Sequence, residues 1–239
     1  ICMKSLWTND IIGLILNNIA FFVQLLFVGG FIFAFFIDHI PLSLRIIGSK
    51  VGAFPLATLR STQIMILNRF GAAFFFTSAG FLVDIGFSPE RFLALFSLAW
   101  ATVGFLSLLY IRSWRTVYKL TAFYVFGSEN GVSDTRVIKF TFRDVLINYP
   151  FLFNLIGISI PVIAASYFPD FRGTLLQIGF LFNSIATLLV VFVVEPKFIG
   201  HISNDEAGLA DEYHQRLVTS KALLLLSMSC IAWLVIYLM

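Results

Sequence analysis

Runs of apolar residues long enough to cross a bilayer recur six times along this chain, and polar connections separate them. A helix needs about 20 such residues to span the hydrocarbon, and lipid tolerates only backbone that satisfies its own hydrogen bonds. The runs cover residues 11–37, 55–84, 91–111, 145–168, 174–194 and 221–239. They predict one all-α, polytopic integral membrane domain over residues 1–239, with about six transmembrane helices. Charge supports this: only 12% of residues are charged, against about 25% in soluble domains. A soluble core could not hide an apolar content of 59%, because exposed patches of that size aggregate. The 29 phenylalanines are expected on lipid-facing and packing surfaces. The chain begins at Ile1 rather than Met, which places the natural start upstream.

The connections set the expected orientation. Even-numbered spans return both termini to one side. Lys4, Arg91 and Arg172 fall on that side. Arg45, Lys50, Arg112, Arg115, Lys119, Arg136, Lys139, Arg143, Lys197, Arg216 and Lys221 fall on the other. The basic side is cytoplasmic, so both termini are expected outside. Residues 112–145 read as a cytoplasmic interfacial segment, since Arg112, Arg115 and Lys119 share one helical face among aromatic neighbours. The turn residues 128–131 follow it. Residues 195–220 read as a cytoplasmic loop and a solvated, acidic helix capped by Asn204, with no direct role.

Local signals punctuate the spans. The first helix is expected to continue past Asp38 and His39 towards Gly48 with a kink at Pro41, which cannot supply a backbone hydrogen bond. Ser88, Pro89 and Glu90 form a helix start.

Charges inside the spans are the candidates for function. Arg69 lies in the second span, about 21 Å from Pro55 along a helix axis, near the midplane on that count. Such a residue costs several kcal/mol and faces a bundle interior or polar cavity. It reads either as a ligand contact or as half of a structural ion pair. Arg60 lies closer to the cytoplasmic boundary and can snorkel. Asp38 and Arg45, seven apart, share a face. Arg45 and Lys50, beside Gly48 and Gly52, form a phosphate-approach site, because arginine grips phosphate oxygens through two donors. Lys50 also reads as an ordinary loop lysine. Asn68 is a second polar mark beside Arg69. Asp84 and Glu195 close spans two and five and also read as plain interface carboxylates. Asn183 and Gln177 are the amides of span five, and buried amides commonly join helices. His39, His201 and His214 have no metal spacing, and Cys2 and Cys230 no disulfide or zinc pattern. No catalytic set, metal site or cofactor motif stands out, and the net charge of +3 does not suggest nucleic acid.

Residues 37–52 read Ile-Asp-His-Ile-Pro-Leu-Ser-Leu-Arg-Ile-Ile-Gly-Ser-Lys-Val-Gly. This block resembles the opening of the alternate-MurJ (Amj) lipid II flippase family: an acid, Ser-x-Arg, then a glycine, a basic residue and a second glycine. They fall on Asp38, Ser43, Arg45, Gly48, Lys50 and Gly52. The family's next arginine lands on Arg69 without a gap, and its Leu-Val-Asp on Leu82, Val83 and Asp84. Further on, Phe171-Arg172, Asn183-Ser184-Ile185-Ala186-Thr187 and Glu195-Pro196-Lys197 are similar to family motifs. The resemblance covers most of residues 37–111 and 150–200. Arg60, Ser61-Thr62, Phe70-Gly71 and Ser184 depart from it, which points to a diverged subgroup or another lipid-linked cargo.

The resemblance implies a transporter rather than an enzyme, in the bacterial cytoplasmic membrane. It would move undecaprenyl-pyrophosphate-linked peptidoglycan precursor (lipid II) from the inner to the outer leaflet. Such a head group cannot cross hydrocarbon unaided. On that expectation Arg45 and Lys50 capture the diphosphate and Arg69 holds it midway. Asp38, Asp84 or Glu195 hold the basic residues until exchange, with Asn68, Arg172 and Asn183 in support. Membrane lipids surround the chain, and a homodimer would help six spans enclose a large head group. The competing expectations are transport of another anionic lipid or solute, a membrane enzyme acting on a polyprenyl or phospholipid phosphate, and a non-catalytic scaffold of the division or wall machinery.

Overall fold

The computed structural model describes residues 2–128, 148–194, 196, 199–200 and 207–239. Glu195, Asn204 and, of the 112–145 and 195–220 connections, residues 129–145, 197–198 and 201–206 therefore lie outside the described residues. Among those described, the chain is helical with no strand. The helices are α1 (Cys2–Ile37), α2 (Ile40–Lys50), α3 (Phe54–Asp84), α4 (Pro89–Arg112), α5 (Trp114–Phe126), α6 (Tyr149–Tyr167), α7 (Arg172–Leu189) and α8 (Ala207–Leu238). A short 3-10 turn, Pro169–Phe171, leads into α7, and a π-turn, Val190–Val194, ends it. Six segments are long and apolar enough to cross a membrane: Asn17–Lys50, Phe54–Asp84, Pro89–Arg112, Tyr149–Tyr167, Pro169–Val194 and Ala210–Leu238. The chain is an all-α, polytopic membrane protein.

Each helix boundary has a local cause. α1 stops at Ile37, and α2 starts at Ile40 with Pro41 in its first turn. Pro41 has no N–H to bond the Ile37 carbonyl, so the helix breaks at Asp38 and His39 rather than running through them with a kink at Pro41. The Ser88 hydroxyl accepts from the Arg91 N–H at 3.4 Å and caps α4. Gly52 turns the chain from α2 into α3 with a φ of 72°, a left-handed value that glycine takes without strain.

The helices pair as α1 with α3, α4 with α8 and α6 with α7, while α1 and α6 also touch α4. Small residues set these seams. A Cβ on Gly30 would stand 2.9 Å from the Gly71 carbonyl, and one on Gly104 would stand 3.1 Å from that of Ala222. One on Gly157 would meet Phe182 at 2.5 Å. Close backbone approach of this kind drives helix association where lipid removes the hydrophobic drive. Ser97 and Ser229 add a buried hydroxyl pair at 2.8 Å between α4 and α8.

Two packing layers result. The bundle core is aromatic: Phe27, Phe31, Phe75, Phe92 and Phe96 are all buried, and Phe27 contacts the other rings except Phe31 at 4.7–5.9 Å. Other phenylalanines, such as Phe21, Phe70, Phe105 and Phe192, are exposed on the outside. A second, smaller layer joins α2, α5 and the first half of α8. Ile47, Tyr110, Trp114, Tyr118, Ala122 and Val218 are buried in it. Trp114, Tyr118 and Ala122 repeat every four residues, which is why α5 lies against the molecule along that face. Its other face exposes Arg115, Lys119, Leu120, Phe123 and Tyr124, the mixture of cations and apolar bulk that suits a membrane interface.

Candidate functional site: a charged cavity at one membrane boundary

A cavity of about 160 Å³ opens where the two layers meet. Its walls come from α2, α3, α6, α8 and the end of α7. Asp38, His39, Arg45, Asn148, Asn154, His214 and Lys221 supply its polar surface.

Lys221 is the cation most tightly held. Its ammonium donates to the Phe35 carbonyl at 2.9 Å and to Asp38 Oδ2 at 3.4 Å, and it lies 4.5 Å from the centre of the Phe151 ring. The free carbonyl exists because α1 ends there, leaving its last oxygens without helical partners. Asp38 accepts on its other oxygen from Asn68 at 3.1 Å. Asp38 is half exposed while Lys221 is buried, so the pair has one face towards the cavity. Arg45 follows Asp38 by seven residues across the break and lines the same space.

The histidines differ from one another. His39 Nε2 bonds the Ser107 hydroxyl at 2.9 Å. His214 is fully buried, lines the cavity, and neither ring nitrogen has a hydrogen-bond partner among the described residues. The Oδ1 atom of Asn154, which also lines the cavity, is buried and unpartnered. Buried polar atoms without partners are uncommon, and water or a ligand usually answers them.

The depth of this cluster follows from helix geometry. Measured from the opposite ends of α3, α4 and α8, at Asp84, Arg91 and Leu238, the positions Arg69, Ser107 and Lys221 lie about 22–26 Å along the helix axes. The hydrocarbon is about 30 Å thick. The cavity therefore sits near the boundary on the α2 side, and the first turns of α3 project beyond it.

Several expectations change. Arg69 does not line the cavity: it is exposed on α3 and makes no hydrogen bond or ion pair among the described residues. Counted from the Asp84 end, it lies about 22 Å into a hydrocarbon of about 30 Å, midway between the midplane and the α2-side boundary. Lys50 is not free to capture a phosphate. It pairs with the buried Asp211 of α8, and both are largely shielded. Its ammonium also lies 5.5 Å from the Tyr118 ring. Burial, with the Asp211 charge second, pushes the Tyr118 hydroxyl up to about 12, so that ring stays neutral. Gly48 serves packing rather than phosphate approach, since a Cβ there would stand 2.2 Å from that of Ala57. Asp84 and Arg172 pair with each other at 3.0 Å on the far side, away from the cavity. Asn183 is half-buried on α7, one turn before the cavity-lining Ala186 and Thr187. Arg60 is exposed and bonds Gln63 at 3.0 Å.

The largest correction concerns the start of α8. Its described residues are not a solvated helix without a role. Asp211, His214 and Lys221 are buried and supply a lysine's partner, an open imidazole and the cavity's central cation. Their spacing of three and seven residues marks one helical face, which was the available signal. Its polar composition hid it.

The chain matches no family model, no curated protein and no solved structure. The cavity's own chemistry has to carry the functional reading.

Proposed function

We infer that this protein moves a phosphate-linked lipid, of the lipid II class, between the leaflets of the cytoplasmic membrane. The observation that carries this reading is the cavity. Among the described residues, two cations, Arg45 and Lys221, and the carboxylate of Asp38 line it, with Lys221 paired to Asp38. Arg45 offers a fork of donors to phosphate oxygens, and Lys221 a compact charge. Asp38 holds Lys221 until a phosphate replaces it, and Asn68 steadies the freed carboxylate. A volume of about 160 Å³ suits a phosphate or diphosphate. It does not suit a whole sugar–peptide head, which would extend into water on the α2 side. The family resemblance of residues 37–52 supports the same class of cargo, with Lys221 taking the place expected for Lys50. On this reading the α2 side is cytoplasmic and both termini are outside.

The test is lipid II exposure at the outer leaflet of cells depleted of their usual flippase. Wild type should restore it, and the membrane-inserted Arg45→Gln and Lys221→Met variants should not. Failure of wild type to restore exposure sinks the reading.

A second reading has an observation of its own. His39 and His214 flank Tyr110, with ring centres 6.0 and 6.1 Å away, and share the cavity with Asp38, Arg45 and Lys221. Histidines beside cations suit hydrolysis of a lipid phosphate. Release of inorganic phosphate from a polyprenyl phosphate, lost in His214→Gln, would favour the enzyme.

A further inference from the structure

The antiparallel helices α3 and α7 touch along only part of their length. Asp84 meets Arg172 at 3.0 Å, a Cβ on Gly80 would stand 3.8 Å from Leu176, and Phe76 meets Phe180 with ring centres 5.1 Å apart. Each step of four residues back along α3 matches a step of four forward along α7. Continuing that register sets Ala72 opposite Ser184 and Arg69 opposite Thr187. No such contact joins the helices there among the described residues. The cavity opens instead, with Met65 on one wall and Thr187 and Val190 on the other. The seam is zipped at its far end and open at the cavity.

Met65, Arg69, Ala72 and Phe76 form one stripe of α3, at helical spacings of four, three and four. Arg69 thus belongs to the face that α7 covers further along, and it is exposed because the seam opens there. A guanidinium beside hydrocarbon costs several kcal/mol unless something anionic meets it. The outer flanks of the opening are apolar, with Ile66 on α3, three residues before Arg69, and Leu188 on α7 exposed. The chemistry required is an anion attached to a long apolar chain.

We propose that the open seam between α3 and α7 is a lateral doorway through which a phosphate-linked polyprenyl lipid reaches the cavity. Arg69 and Thr187 stand at its two lips, with Arg69 on the phosphate and the tail remaining in the bilayer against Ile66 and Leu188. The Asp84–Arg172 pair latches the opposite end. The doorway rests on the transport reading above but is separable from it.

The test bridges the seam. In the full chain carrying Cys2→Ser and Cys230→Ser, Ala72→Cys and Ser184→Cys are joined by a short, reducible bis-thiosulfonate linker in nanodiscs. Binding of undecaprenyl pyrophosphate and of inorganic pyrophosphate is then measured before bridging, after it, and after reduction. Bridging is expected to weaken lipid binding about ten-fold or more, reversibly, while pyrophosphate, arriving from water, binds as before. Equal lipid binding in the bridged protein overturns the doorway and leaves the transport reading standing. Equal loss of both probes also overturns it, since the bridge then distorts the cavity rather than closing a path for lipid. If neither probe binds the unbridged protein, the transport reading fails and the doorway with it.

Discussion

Two ion pairs of similar appearance differ in worth because of where they sit. Lys50 and Asp211 are 14% and 1% exposed, whereas Arg172 and Asp84 are 48% and 59% exposed. Removing one partner of a shielded pair strands the other charge, at a cost of about 3–5 kcal/mol. An exposed pair is worth about 1 kcal/mol or less. Asp211→Ala is therefore expected to lower stability by about 3 kcal/mol, and Asp84→Ala by under about 1 kcal/mol, in denaturation from mixed micelles. Comparable losses would mean that burial is not what separates them. Within the cavity, Lys221→Met keeps side-chain bulk but removes the charge. It is expected to weaken pyrophosphate binding about ten-fold or more, the worth of a charge-assisted hydrogen bond, as isothermal calorimetry would read. Asp38 and Arg45 could be identified from the sequence because they lie on one short block beside a proline. Lys221 and His214 were missed, because Lys221 meets Phe35 of α1 and Phe151 of α6 and His214 packs on Tyr110 of α4 and Trp114 of α5, and the spacing along α8 does not say what its face meets. Arg69 was legible as a residue, and its depth moves towards the α2 side when counted from the Asp84 end rather than from Pro55.

Among the elements, apolar length alone delimited the spans. The six stretches read from sequence correspond to the six membrane-length segments, and the break before Pro41 falls where the missing N–H requires it. Less legible was which helix packs on which, because pairing depends on single small residues inside otherwise uniform apolar runs. Gly71 is one: a Cβ there would stand 2.9 Å from the Ala34 nitrogen and 3.1 Å from the Gly30 carbonyl. Backbone atoms cannot swing aside, so Gly71→Val should force α1 and α3 apart. The expected loss is about 1–3 kcal/mol, visible as a lowered unfolding midpoint. An unchanged midpoint would show that this seam is looser than the geometry states.

At the level of the whole molecule, the membrane bundle carries a second helical layer on one side, and the cavity lies between them. The basic face of α5 belongs to that layer, which the transport reading places in the cytoplasm. A cysteine at Lys119, in a chain with Cys2→Ser and Cys230→Ser, should be protected from a membrane-impermeant thiol reagent in intact cells and react after permeabilisation. Labelling in intact cells would reverse the orientation and with it the direction in which cargo meets Arg45.

The most direct measurement is translocation of fluorescent lipid II in proteoliposomes, read as loss of protection from a membrane-impermeant quencher. The account predicts that wild type moves the lipid, that Arg45→Gln and Lys221→Met slow it about ten-fold or more, and that no inorganic phosphate appears. Lipid that stays in its leaflet with wild type, or moves equally fast with both variants, would contradict it.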